Sequence, residues 1–134
     1  MAKITKSIYT GLSVTSLGEL TPTDNIDGVL APTITTLTDG ATITPDFSTS
    51  CNFTVTLGGN RTMANPTNAV AGQSGSMFIV QDGTGSRTLS WGANWDWSSG
   101  LTPTLTTTAN AVDRVDYVVR SSSAIQAVFT ANYS

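Results

Sequence analysis

Residues capable of acid–base, nucleophilic or metal chemistry are scarce in this chain. The 134 residues include no histidine and a single cysteine, Cys51. A nucleophilic serine or cysteine needs a neighbouring base, most often histidine, and zinc and copper sites are built largely from histidine and cysteine. We therefore predict no catalytic residues, no bound cofactor and no enzyme activity.

Two groups of acidic residues could do chemistry, and their spacing argues against both. The segment Asp24-Asn25-Ile26-Asp27-Gly28 resembles a calcium loop, but Ile26 stands where the EF-hand spacing needs an oxygen ligand. Asp113 and Asp116 are separated by an odd number of positions, which puts two side chains on opposite faces of a strand. We predict no metal site and no carboxylate pair here, and expect Asp113 and Asp116 to be solvated or salt-bridged.

Three tryptophans within seven residues form the one group with clear binding potential. Trp91, Trp95 and Trp97 lie beside Asn94 and Asp96. Indole rings stack on sugar rings and anchor protein interfaces, yet large aromatic residues are also commonly buried. Three interpretations stay open: a lid over the core, a protein interface, or a glycan contact made by Trp95 and Trp97.

The composition argues against nucleic acid and membrane partners. The net charge is −3, the pI is about 4.4, and the six basic residues are scattered along the chain, whereas binding to phosphate groups or anionic lipids needs clustered Lys and Arg. No apolar segment of about 18 residues could span a bilayer, and no secretory signal follows Met1. We expect synthesis in a cytoplasm.

Short apolar runs separated by turn residues predict an all-β fold over residues 31–134. Residues 52–57 alternate strictly, residues 112–120 and 124–133 form a pair of strands, and residues 72–91 read as a central hairpin around Asp82-Gly83-Thr84-Gly85. The spacing of the strands favours an antiparallel β-sandwich or small barrel, jelly-roll-like. The strand order cannot be derived from this pattern.

Residues 1–30 have a different pattern and are predicted to form an extended N-terminal arm. The apolar residues of this segment are widely spaced, and such an arm has too little surface to bury by itself. We expect it to lie either on its own domain or on a neighbouring subunit, as a strand-addition or clamp segment, and we predict that it is the attachment element. The predicted partner-binding residues are Ile4, Ile8, Leu12, Val14, Leu17 and Leu20.

The stretch from Asn52 to Phe129 resembles a family of small β-sandwich domains on the virions of tailed bacteriophages. The resemblance is carried by NFTVTLGGN at 52–60, FIVQDGTGSRTLSW at 78–91 and AVDRVDYVVRSSSAIQAVF at 111–129. It implies a structural protein of the virion without catalytic residues. Similar stretches occur in small virion-surface proteins and in tail-fibre and baseplate-associated proteins, so the resemblance does not decide between them.

The short chain and its arm favour a capsid decoration, or cement, protein on the capsid surface. Such a protein binds the major capsid protein across subunit joints, and anything that binds only the assembled state stabilises it. The resemblance also implies copies of itself as partners, in a homotrimer. The alternative is a tail-fibre or baseplate-associated host-adhesion module, which would bind a host-surface receptor or glycan.

Overall fold

The computed structural model describes residues 32–133, and the structural statements below concern that part of the chain. The six apolar residues of the predicted arm lie outside it, so the arm and the boundary at residue 30 stay predictions. None of the described elements is a helix long and apolar enough to cross a membrane. The strands are β1 (Ile34–Thr36), β2 (Thr42–Ile43), β3 (Asn52–Leu57), β4 (Arg61–Met63), β5 (Ser74–Gln81), β6 (Leu89–Trp91), β7 (Trp95–Trp97), β8 (Val112–Ser121) and β9 (Ala124–Thr130).

The strands form two sheets that enclose one hydrophobic core, which confirms the all-β fold class. One sheet has six strands in the order β1-β3-β5-β8-β9-β7, and the other has three in the order β2-β4-β6. Buried residues of both sheets belong to a single cluster. The alternation predicted for β3 is confirmed, because Phe53, Val55 and Leu57 are all fully buried.

The pairing within the sheets is mixed, and this differs from the antiparallel, jelly-roll-like arrangement expected from the sequence. The first six strands pass back and forth between the two sheets and pair in parallel within each. They form three stacked coils: coil 1 (β1 and β2), coil 2 (β3 and β4) and coil 3 (β5 and β6). Antiparallel pairing joins β5 to β8 and β8 to β9, as predicted for the last two strands.

The predicted hairpin over residues 72–91 is wrong, because β5 and β6 lie in different sheets. The buried Gln81 side chain accepts a hydrogen bond from the Arg87 amide at 2.9 Å and donates one to the Arg87 carbonyl at 3.0 Å. These bonds hold a loop that carries the chain across the core instead of back along β5. The predicted central position of the strand is confirmed, since β5 lies between β3 and β8.

Equivalent positions of the three coils carry similar side chains. In the second strand of each coil, an outward-facing hydroxyl residue is followed by a large apolar residue. Residues of the same kind pair in register across the three-stranded sheet. The hydroxyl residues are Thr42, Thr62 and Ser90, and the apolar residues are Ile43, Met63 and Trp91. This repeat of two residues is the sequence signal for the coils, although it is short and its spacing is irregular.

The backbone at Gly75, in coil 3, lies against the Cys51 carbonyl that precedes β3. A Cβ atom at Gly75 would lie 1.7 Å from the carbonyl oxygen of Cys51. The Tyr117 hydroxyl on β8 donates a hydrogen bond to this same carbonyl at 2.6 Å. Burial raises the pKa of Tyr117, so its hydroxyl remains a donor. The ring of Phe47 stacks on Tyr117 with 4.8 Å between centroids, so this contact lies within the aromatic core.

We predict that Gly75→Ala destabilises the domain strongly. The added methyl group cannot coexist with the Cys51 carbonyl unless β5 or the preceding turn moves, and we expect the free energy of unfolding to fall by about 3 kcal/mol or more. Gly83→Ala is the matched control, since a Cβ atom there meets no atom within 4 Å. Urea denaturation of both variants measures the effect. An equal loss of unfolding free energy in Gly75→Ala and Gly83→Ala would contradict the close approach of Gly75 to the Cys51 carbonyl.

We also predict that acid destabilises the domain through two ion pairs at turns. Hydrogen bonds from Arg61 lower the pKa of Asp39, and hydrogen bonds from Arg87 lower the pKa of Asp82. A carboxyl group with a lower pKa in the folded state stabilises it above the unfolded pKa, and this contribution is lost as the pH falls through the folded value. Stability should therefore drop below about pH 4. Asp39→Asn should reduce the loss of stability below about pH 4, measured by urea denaturation at several pH values. An unchanged pH dependence of the free energy of unfolding would show that the Asp39–Arg61 pair does not cause the acid sensitivity.

Candidate functional site

The tryptophans around β7 are divided between the core and the edge of the six-stranded sheet. Trp95 is only 5% exposed, and its indole nitrogen donates a hydrogen bond to the Ala64 carbonyl at 3.0 Å. The predicted glycan contact by Trp95 is therefore wrong, because this side chain belongs to the core, as one of the three interpretations anticipated. The sequence could not decide this, since burial of Trp95 depends on its position beside Ile125 of β9.

Trp97 is half-buried and remains a candidate contact residue. Its ring packs edge-to-face on Trp91, with centroids 4.8 Å apart, and Trp91 packs in the same way on Trp95 at 5.1 Å. This packing fixes the orientation of the Trp97 ring against the Trp91 indole. It is a rigid group at the edge of the sheet, with part of its surface accessible.

A groove of about 480 Å³ runs over β7, β8 and β9 beside Trp97; we call it the outer groove. The outward-facing lining residues lie on the face of the six-stranded sheet that points away from the core: Asp96, Asp116, Val118, Gln126 and Val128. Trp97, Tyr117 and Ala127 alternate with them along the strands, and their side chains face the core. The strand register makes Gln126 the neighbour of both Val118 and Asp96, and it sets Asp116 opposite Val128. The outer groove is thus built on three strands, not on loops.

The floor of the outer groove is apolar and open. Val118 is 51% exposed and Val128 is 62% exposed, and both line the groove. They lie on adjacent strands, diagonal to each other in the register. Single exposed apolar residues are normal on protein surfaces, but two neighbours in one depression form a surface on which a ligand can be desolvated.

The polar groups of the outer groove differ in how far they are already engaged. Asp116 accepts hydrogen bonds from the Ser76 hydroxyl at 2.6 Å and from Arg114 Nε at 2.9 Å. Asp96 forms a long ion pair with Arg120 at 4.0 Å, and both side chains are well exposed. Within residues 32–133, the Gln126 amide and the hydroxyl of Ser98, another lining residue, form no hydrogen bond. Asp96, Gln126 and Ser98 are therefore available to a ligand.

The prediction that Asp113 and Asp116 lie on opposite faces of a strand is confirmed. The expectation that Asp113 is solvated or salt-bridged is wrong. Asp113 is 1% exposed and accepts hydrogen bonds from the amide and hydroxyl of Thr106 at 2.8 and 2.7 Å, and from the Asn132 amide at 2.9 Å. It ties the long loop and the C-terminal segment to β8. The described residues contain no group of three or more potential metal ligands, and residues 24–28 lie outside them.

Sequence reasoning missed the outer groove residues other than Trp97 and its neighbour Asp96. A usable signal exists in the outward positions of the last two strands, where Val118 and Val128 stand although polar residues are expected there. That signal indicates an exposed apolar surface. It does not indicate which strands lie side by side, and the groove requires β7 next to β9.

We predict that Trp95→Ala strongly lowers the free energy of unfolding of the domain and that Trp97→Ala lowers it much less. Removing the buried indole of Trp95 leaves a cavity and an unpaired Ala64 carbonyl, so the free energy of unfolding should fall by about 3–5 kcal/mol. Trp97 is the matched control, because it is the same residue type two positions away and half-buried. Thermal unfolding of both variants provides the test; an unchanged Tm for Trp95→Ala would contradict its place in the core.

Comparison with known proteins identifies the family. A family model described as "Putative phage tail fibre C-terminal domain" matches residues 43–121, which is more than half of the chain and extends from β2 to the end of β8. Searches of curated proteins and of solved structures found no match. The match confirms the resemblance to surface domains of tailed-phage virions and supports a virion component. The chain therefore belongs to the phage tail fibre C-terminal domain family.

Proposed function

We propose that this domain is part of a phage tail fibre and contributes to adhesion to the host cell. The observation that carries the proposal is the match to a tail-fibre C-terminal domain. The outer groove supports it, because an open apolar floor with unengaged polar groups at its margin is what a binding surface requires. The groove residues Asp96, Ser98 and Val118 fall within the matched segment.

The capsid decoration function favoured by the sequence has less support than the tail-fibre alternative. It relied on the length of the chain and on the apolar residues of the first 30 positions, which the described residues do not include. The family match refers to tail fibres and not to heads. The major capsid protein and the homotrimer remain predictions made from the resemblance.

We propose a binding role without catalysis. The Asp116 carboxylate in the outer groove is held by Ser76 and Arg114, and a carboxylate so engaged is poorly placed to accept a proton from a substrate. The chain supplies no histidine to act as a base in its place. These features favour recognition of an intact ligand.

We predict that the labelled domain binds saturably to cells of the bacterial host and that Val128→Asp weakens this binding at least about tenfold. A new carboxylate on the apolar floor would have to be desolvated against the ligand. Val70→Asp is the matched control, since Val70 is 63% exposed, close to the 62% of Val128, and is not among the residues that line the groove. It should leave binding unchanged.

Undecorated phage heads are the parallel target in the same assay. Binding to heads but not to cells would contradict the proposal and support capsid decoration. Equal losses for the two variants would show that the outer groove is not the contact surface, provided that both variants unfold at the same urea concentration as the original domain.

A further inference from the structure

We infer that the outer groove binds an uncharged saccharide. The inference rests on the proposed adhesion function and names the chemical class of its ligand. A volume of about 480 Å³ lies within the range of small-molecule sites, roughly 300–1,000 Å³. A protein receptor would need a complementary surface of about 800 Å² on each partner, which a groove limited to three strands supplies only in part.

The floor of the groove suits the apolar face of a sugar ring. Val118 and Val128 expose their methyl groups next to each other on adjacent strands. A pyranose presents C–H groups on its faces and hydroxyl groups around its edge. One of its faces can therefore bury apolar area on the two valines while the hydroxyl groups point to the sides.

The margin of the groove carries the groups that hydroxyls require. Asp96 and Gln126 are direct neighbours in register, and the hydroxyl of Ser98 follows on the same edge of the sheet. A carboxylate only accepts hydrogen bonds, whereas an amide both donates and accepts. Adjacent sugar hydroxyls, each a donor and an acceptor, can satisfy both groups at once. No other described residue forms a hydrogen bond with Gln126 or Ser98 that would have to be broken first.

The charges of the groove disfavour an anionic ligand. Among residues 32–133, the lining of the groove includes two carboxylates, Asp96 and Asp116, and no cationic side chain. The nearby guanidinium groups of Arg114 and Arg120 are directed to these carboxylates, at 2.8 and 4.0 Å. A uronate, sialate or phosphate would therefore meet negative charge at the contact itself, where like charges oppose binding. The structure thus favours neutral hexoses and N-acetylated hexosamines over acidic polysaccharides.

The test is binding of the labelled domain to immobilised oligosaccharides of equal length. The neutral set contains glucose, galactose, mannose and N-acetylglucosamine units, and the anionic set contains glucuronate, sialate and sugar phosphate units. We expect binding to members of the neutral set only. Asp96→Asn and Gln126→Ala should each weaken it at least about tenfold, the effect of losing one hydrogen bond to a charged group or two to a neutral one.

Thr42→Ala is the control, because Thr42 is exposed on the three-stranded sheet and does not line the groove. Two results would overturn the inference: binding to the anionic set, or neutral binding that Asp96→Asn and Gln126→Ala leave unchanged. Adsorption to host cells without binding to any saccharide would overturn the ligand class while leaving the adhesion function intact. Absence of binding to both cells and saccharides would overturn both.

Discussion

The close contact between the backbone of Gly75 and the Cys51 carbonyl is the constraint on which the rest of the structure depends. It keeps this position free of any side chain, beside the parallel ladder that joins β3 to β5. The Tyr117 hydroxyl, bonded to the same carbonyl at 2.6 Å, then attaches β8 to the coils. This carbonyl oxygen thus adds a link between the coils and β8 to the antiparallel ladder of β5 and β8, beside aromatic core residues where an unpaired acceptor would be costly.

The position of the outer groove follows from this junction. Tyr117 points inward from β8, so its neighbours Asp116 and Val118 point outward. The register of β8 with β9, and of β9 with β7, then aligns Val118, Gln126 and Asp96 in one row across the sheet. The candidate binding residues are therefore held by the same ladders that hold the core, and a ligand meets them without prior ordering of a loop.

The sequence predicts which residues face the core much better than it predicts which strands are neighbours. Alternation in β3 and in the last two strands identifies the buried side chains correctly, because a period of two depends on local geometry alone. Parallel pairing depends on where the chain returns after crossing the core, and Asp82-Gly83 gives the same turn signal for a hairpin and for a crossover. The burial of Trp95 and the groove itself both follow from that long-range choice.

The shape of the outer groove has a consequence for affinity. A shallow groove with an open floor and few polar groups buries little ligand surface, so a single site can contribute only modest binding energy. Strong adhesion then has to come from several copies acting together, since linked sites raise the apparent affinity by about 10²–10⁴ without new contacts. The homotrimer predicted from the resemblance would supply three such grooves. Weak single sites on a shared assembly also allow release and rebinding, which is compatible with the adhesion function proposed above.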